Sequence, residues 1–462
     1  MSATLAFVVD RLKRHVVGES FVRRNPFYYE RSRRLLDRLE GQDLEGRLAW
    51  SREQLARTLA AAKRTDYGGI VRGGDEVTSW PLLDKELLRN RQRAFTTGSE
   101  WFAAPAVTGG TSGVPLKLTR SLDGIVFEQA CIDRMVMQLG LHPRTARTAV
   151  LRGDNLQDPR ALLTPDGISA NGGRSRIFCA RAVSAKNCDR IADSLERFAP
   201  QLVVAYPSAL ETLCRLLQER GRTLKVQGVL TSSEVLKPEA WTLVQDVLGC
   251  RIVDYYGQSE RVAFAYAFTP REYRFLPGYA HVEFVRYDSK LLPAGGRERL
   301  YEIVGTTFWN NLMPLVRYRT GDLIRLPADW GIGELQELAL GLRSFRGILG
   351  REQEVIACPS GIRLTGLESI PHDIEHILRI QVVQETLHSA RIRVVPAPGF
   401  CARDIERLLE NARAKVPPEM HVEVEVAEYL ERTPRGKTPL IVHRPPVHEA
   451  LRCAGVEPML TH

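Results

Sequence analysis

The chain has 462 residues, of which 44% are hydrophobic and 26% charged, with a formal net charge of +9. This composition excludes disordered, collagen-like and coiled-coil classes, and the length exceeds what one hydrophobic core usually fills, so two or more domains are expected. The basic residues are mostly interleaved with acidic ones, and the densest patches, residues 11–15 (RLKRH) and 31–34 (RSRR), read as solvated helix faces rather than a surface for a polyanion. With no basic and aromatic interleaving, no nucleic-acid partner is expected.

Eight cysteines, Cys131, Cys179, Cys188, Cys214, Cys250, Cys358, Cys401 and Cys453, are widely spaced without a CxxC pair, which argues against a zinc ribbon or a disulfide scaffold. Residues 1–18 lack a long uninterrupted apolar core, and no later run approaches the length of a membrane span. Neither a signal peptide nor a transmembrane helix is expected, and the cytoplasm is the default location.

In chain order, residues 31–62 alternate charged and apolar positions at helical spacing, so the first 65 residues are expected to be largely helical. A turn-rich passage after Trp80-Pro81 leads to a Gly/Thr/Ser cluster and then a helix near 123–139. Between 199 and 256 the apolar runs LVVAY, QGVLTS and CRIVDYY alternate with helical stretches, which implies βαβ units and a largely parallel sheet. Residues 280–326 alternate as antiparallel strands do. The last block reads strand (RIRVVPA), helix (CARDIERLLENARAKV), strand (HVEVEVAEYL) and a basic turn. The expected fold is therefore α/β, with a large N-terminal domain over 1–352 and a small α+β domain over 353–462.

Five short constellations could carry chemistry. Thr108-Gly109-Gly110-Thr111-Ser112-Gly113-Val114-Pro115, followed by Lys117, combines close backbone approach, hydroxyl donors and an ammonium, as a phosphate cradle would; alone it is equally a plain small-residue loop. Asp254-Tyr255-Tyr256-Gly257-Gln258-Ser259-Glu260 leaves a buried strand with an aromatic ring for a base and a carboxylate for Mg²⁺, or is an ordinary strand exit with a solvated Glu. Thr320-Gly321-Asp322 and Gly350-Arg351 offer acceptors and a donor fork for a ribose, or are a hairpin turn and a surface Arg. Lys437, in Arg435-Gly436-Lys437, could bring one ammonium to a developing anion, or is an exposed basic turn.

Together and in this order, the five resemble the core motifs of the adenylate-forming superfamily, which includes acyl-CoA synthetases, peptide-synthetase adenylation domains and luciferases. The short length, the NPFYYERS segment at 25–32 and the TGGTSGVPL glycine loop look most like the phenylacetate-CoA ligase branch, including capsule-biosynthesis relatives. The resemblance spans roughly residues 25–442 and is dense only at the motifs.

The resemblance implies that ATP and Mg²⁺ are used to activate a carboxylic acid as an acyl-adenylate. Thr108, Gly109, Gly110, Thr111, Ser112, Gly113 and Lys117 would hold the phosphates, with Lys117 offset by one from the common Pro-Lys form. Tyr256 and Gly257 would lie at the adenine, Asp322 and Arg351 at the ribose, Glu260 at Mg²⁺, and Lys437 at the carboxylate and the α-phosphate. It also implies a hinge just after Arg351, where Gln353 replaces the usual Asp or Lys. Ser259 stands for the usual Thr, and Ser232-Ser233-Glu234 for the Gly-Glu of many relatives.

At the start of the acid pocket the stretch Ala205-Tyr206-Pro207-Ser208 lacks the carboxylate with which amino-acid-activating relatives pair the α-ammonium. An aromatic or other acid without an α-amine is expected, with Tyr206, Ser232 and Ser233 as pocket walls, although Tyr206 also reads as a plain core aromatic. Coenzyme A is the expected second substrate. A carrier protein, an amine acceptor, or a nucleotide-binding non-enzyme are the alternatives, and a homodimer is compatible with all of them.

Overall fold

The structure, a computed structural model, describes residues 22–98, 104–107, 116–152, 164–287, 297–351, 356–357, 363–364, 367, 370–371, 374, 376–413, 416, 419–432, 438–445, 447 and 449. Among them the strands, in chain order, are β1 (Ala104–Val107), β2 (Lys117–Arg120), β3 (Thr148–Arg152), β4 (Ile168–Ala170), β5 (Ser175–Cys179), β6 (Leu202–Ala205), β7 (Gly228–Ser232), β8 (Arg251–Gly257), β9 (Phe264–Ala267) and β10 (Arg274–Phe275). They continue with β11 (Ala280–Arg286), β12 (Glu298–Thr307), β13 (Tyr318–Pro327), β14 (Ile348–Arg351), β15 (Ile356–Ala357), β16 (Arg363–Leu364), β17 (Ile377–Thr386), β18 (Ser389–Pro396), β19 (His421–Val426) and β20 (Ile441–His443).

The largest sheet has the order β10-β9-β8-β7-β6-β3-β5-β4, and its middle strands, β5 to β8, pair in parallel. The apolar runs anticipated as buried strands are its centre. Helices Cys188–Phe198, Pro207–Glu219 and Pro238–Leu248 make the crossovers and pack on one face with Val203, Ala205, Val229 and Ile252. Helix Leu122–Gln138 covers the other face, against Leu202, Leu230 and Val253. Successive strand residues point to opposite faces, so two apolar faces require runs without polar interruption. Two of the crossover helices start with Pro at the first position, where its missing N–H costs nothing, and Pro238–Leu248 stops at Gly249 with a left-handed φ of 58°.

Among the described residues the helical N-terminal part includes the helices Pro26–Glu40 and Leu44–Ala62. Pro26–Glu40 is tied to helix Leu122–Gln138 through buried Asp133. That carboxylate accepts from Arg24 Nη2 at 2.7 Å, Tyr29 Oη at 2.6 Å and Gln129 Nε2 at 2.8 Å. The alternating region forms an antiparallel sheet of order β11-β12-β13-β14. Trp309, after β12, stacks on Phe127 at 3.9 Å and so joins this sheet to the helix layer of the first.

The C-terminal block pairs as β19-β18-β17-β20, with helix Ala402–Arg413 on it and a core of its own that includes Ile380, Val382, Ile392, Val394 and Leu408. Strand β17 was missing from the strand-helix-strand reading of this block. Its run ILRIQVVQET keeps polar Gln381 and Gln384 fully buried, where their amides bond to the backbone of Glu431, Pro439 and Ala357. Buried glutamines break the hydrophobic pattern by which strands are recognised.

Among the described residues no helix is long and apolar enough to cross a membrane. Replacing Asp133 with Ala leaves Arg24 without its buried partner, so Asp133→Ala is expected to lower the unfolding free energy by about 3–5 kcal/mol. Urea titration checks this, and a loss below about 1 kcal/mol would show that the cluster is only a surface-strength contact.

Candidate active site

The two ends of the glycine-rich segment are set by hairpin β1–β2, in which Val107 pairs with Lys117. Thr108, Gly109, Gly110, Thr111, Ser112 and Gly113 lie outside the described residues, as do Gln353 and Lys437. Lys117 opens β2 with an exposed side chain, and β2 ends at Arg120, whose Nη2 donates to the carbonyl of Ser259 at 2.7 Å. Hairpin and strand exit are thereby locked together.

Glu260 follows in that turn. It is buried, not solvated, which corrects the bland reading of this stretch: Tyr318 Oη, at the start of β13, donates to its Oε1 at 2.9 Å. No described group donates to Oε2. Beside it, burial and the neighbouring Arg261 push the Arg120 guanidinium down to about 10, with Glu128 and Glu260 opposing. Two arginines and two carboxylates thus lie together beside β2.

Tyr256 and Asp322, distant in sequence, meet directly. Tyr256 Oη donates to Asp322 Oδ2 at 2.7 Å, and Gln258 Nε2 donates to the same hydroxyl at 2.7 Å. Gly257 ends β8 opposite Phe264. Thr320-Gly321-Asp322 is not a hairpin turn, as its plain reading had it; it is a bulge inside β13, where Ile303 faces the residues between Arg319 and Leu323. Gly321 takes a left-handed φ of 72°, which favours glycine. The bulge is held by Glu302, buried in β12, which accepts from the Gly321 N–H at 3.1 Å and from Arg319 Nη2 at 2.6 Å. Arg351 pairs with Asp322 across β13–β14, so its backbone lies beside the carboxylate.

Tyr206, Ser232 and Ser233, expected from the sequence as pocket walls, lie at or just past the carboxyl ends of neighbouring strands. Cα pairs Leu151–Ala205, Ala205–Thr231 and Thr231–Asp254 form one row, and one step further on stand Arg152, Tyr206 and Ser232. Tyr206 and Ser232 are buried, while Ser233 is exposed with a left-handed φ of 76°, a conformation that favours glycine. Arg152 was not singled out in the sequence. Its guanidinium lies over the Tyr206 ring, 5.5 Å from the centroid, and Nη2 donates to Ser232 Oγ at 2.6 Å. Glu234 accepts the Ser208 N–H at the start of helix Pro207–Glu219, and its other oxygen is buried without a hydrogen-bond partner. Glu302 and Arg152 are residue types that usually decorate surfaces, and no spacing signal distinguishes them.

Asp254 opens the same constellation but belongs to the core. Thr231 Oγ1 donates to it at 2.6 Å and Tyr273 Oη donates to its other oxygen; burial nevertheless pushes its carboxyl up to about 6. A raised carboxyl contributes stability that is complete below its unfolded value near pH 4 and is lost as pH rises through about 6. The stability advantage of the wild type over Asp254→Asn is therefore expected to shrink between about pH 4 and 6 and to level off above. Chemical denaturation at a series of pH values checks this, and a difference that does not vary with pH would contradict it.

No protein-family model matches the chain. It is similar to the phenylacetate-coenzyme A ligase of Pseudomonas putida, with 23% identity over 384 residues that cover 78% of this chain and 81% of the relative. The phenylacetate-coenzyme A ligase of Thermus thermophilus shows 23% identity over 375 residues, covering 76% and 79%. A crystal structure of 2-hydroxyisobutyryl-CoA ligase in the postadenylation state, in complex with R3-HIB-AMP, superposes with a TM-score of 0.58 at 13% identity, over 89% of this chain and 91% of that one. The chain resembles the phenylacetate-CoA ligase branch of the adenylate-forming ligases in sequence, and it has the fold of these enzymes.

Proposed function

We propose that this chain uses ATP to convert a carboxylic acid without an α-amine into an acyl-adenylate, with release of pyrophosphate, and then passes the acyl group to a thiol, coenzyme A first. The observation that carries this reading is the direct hydrogen bond between Tyr256 and Asp322, with the turn that follows β8 bound through Ser259 to Arg120 of the hairpin and through Glu260 to Tyr318 of β13. Residues read separately for adenine and ribose touch each other at the end of β8, and the ends of parallel strands are where open α/β sheets bind ligands. The motif order and the similarity to coenzyme A ligases support it further.

In this reading the ring of Tyr256 and the backbone at Gly257 receive adenine, while Asp322 and Arg351 hold the ribose hydroxyls. Thr108, Gly109, Gly110, Thr111, Ser112, Gly113 and Lys117 hold the phosphates. The open oxygen of Glu260 suits Mg²⁺, which usually takes one or two carboxylates and completes its shell with phosphate and water. When bound, the ion would neutralise phosphate charge. Among the described residues no cluster of three or more His, Cys, Asp or Glu side chains could hold a metal ion.

The reaction asks mainly for position and charge. A carboxylate oxygen is already a nucleophile: it attacks the α-phosphorus, the bond to the bridging oxygen breaks, and that electron pair leaves with pyrophosphate. Lys437 would stabilise the charge developing there. The thiol sulfur then attacks the acyl carbon and AMP departs. A division near residue 352, with Gln353 at a hinge and residues 353–462 turning between the two half-reactions, is part of the proposal; the separate core of the C-terminal block supports it. Cytoplasmic residence accords with such substrates.

Acid-dependent pyrophosphate release, followed across aryl, fatty and amino acids with and without coenzyme A and by mass spectrometry of the products, tests the reading. Release with AMP formation is expected, and ATP binding without release for any acid would favour a nucleotide-binding non-enzyme. Lys437→Ala is expected to slow adenylate formation by about 10²–10³-fold while ATP binding is kept, because its charge acts chiefly in the transition state. Equal adenylation rates would remove Lys437 from the mechanism. Glu260→Gln is expected to raise the Mg²⁺ concentration needed for half-maximal release, and an unchanged requirement would place the ion elsewhere.

A further inference from the structure

Among the described residues Arg152 is a guanidinium without an anion. It is half-buried at the carboxyl end of β3, it stacks on buried Tyr206, and its one hydrogen bond to a side chain, 2.6 Å from Nη2, goes to neutral Ser232. Its Nε is buried and has no hydrogen-bond partner. Among the described residues no carboxylate forms an ion pair with it, although many other arginines of the chain have one. Glu234, on the loop after β7, points its charge at the N-terminus of helix Pro207–Glu219 instead. A partly desolvated cation that the fold does not compensate is costly unless something else brings the counter-charge.

The position says what that something is. Arg152 starts on β3 and reaches Ser232 on β7, two strands across, so its charged end lies about one strand spacing, roughly 5 Å, from β8, which carries Tyr256. It therefore sits on the acid side of the proposed adenylate cleft, against the two walls Tyr206 and Ser232. The remaining N–H groups of a guanidinium form a planar fork suited to a carboxylate.

We infer that Arg152 is a specificity-determining residue that receives a second anionic group on the acid, a second carboxylate in the first instance, so that the enzyme prefers a diacid over the plain aryl or alkyl monoacid. This rests on the adenylating reading and deepens it. Tyr206, itself buried, carries the guanidinium on its ring, and Ser232 holds it in place.

The test measures pyrophosphate release with matched acids: phenylacetate, 4-methylphenylacetate and 4-carboxyphenylacetate, and hexanoate beside adipate. Each is assayed with the wild type, Arg152→Lys and Arg152→Met, with ATP binding and thermal melting as controls for folding. In the wild type the carboxylated member of a pair is expected to have the higher kcat/KM by about ten- to a hundredfold, the worth of a charge-assisted hydrogen bond. In Arg152→Met that ratio collapses toward one through the KM of the diacid, with the KM for ATP unmoved, and Arg152→Lys restores part of it. A wild-type preference for the monoacids overturns the inference. So does an equal loss on every acid in Arg152→Met, which would place the guanidinium at the reacting carboxylate. Absence of release with every acid, in all three proteins, overturns the adenylating reading itself and this inference with it.

Discussion

A parallel sheet covered by helices on both faces has no room for polar side chains except at the ends of its strands. In this chain β6, β7 and the body of β8 are apolar toward both layers, and the functional residue types gather where those strands stop: Arg152, Tyr206, Ser232 and Tyr256. The exception, Asp254, lies one step too deep. It is retained only because Thr231 and Tyr273 satisfy both its oxygens, and its raised carboxyl is the mark of that burial.

The cleft needs a second wall, and the antiparallel sheet provides it. Contact between the sheets runs through Tyr256 and Asp322, which join β8 to β13, and through Tyr318 and Glu260, which join β13 to the turn after β8. Asp322 reaches inward because β13 bulges at Gly321, and Glu302 keeps the bulge in shape by accepting from the loop N–H and pairing with Arg319. Position at the cleft therefore depends on a residue that would touch no ligand. Arg120 plays a similar part for the hairpin, through the Ser259 carbonyl.

Charge balance around this cleft is uneven. Arg120 and Arg261 lie among Glu128 and Glu260, whereas Arg152 has no carboxylate among the described residues. Net charge by itself identifies no partner, and the pairing of each arginine has to be read locally.

Much was legible before any coordinate. The alternation of LVVAY, QGVLTS and CRIVDYY with amphipathic helices determines a parallel sheet, because only a strand buried on both faces is apolar at every position. The order of the five motifs was enough to suggest the chemistry, since each needs only its own few residues. What the tertiary structure decided is how distant residues meet. Thr320-Gly321-Asp322 reads locally as a turn, and only the pairing of β13 with β12 makes it a bulge. Glu260 reads as solvated until Tyr318 and Arg120 close over its turn. Arg152, Glu234 and Glu302 are common surface types whose burial depends on strands far away in the chain, and β17 hides behind glutamines whose partners lie 27 to 58 residues off. Local sequence sets periodicity and turn chemistry; burial and hydrogen bonding belong to pairs, and the partner is chosen by the fold.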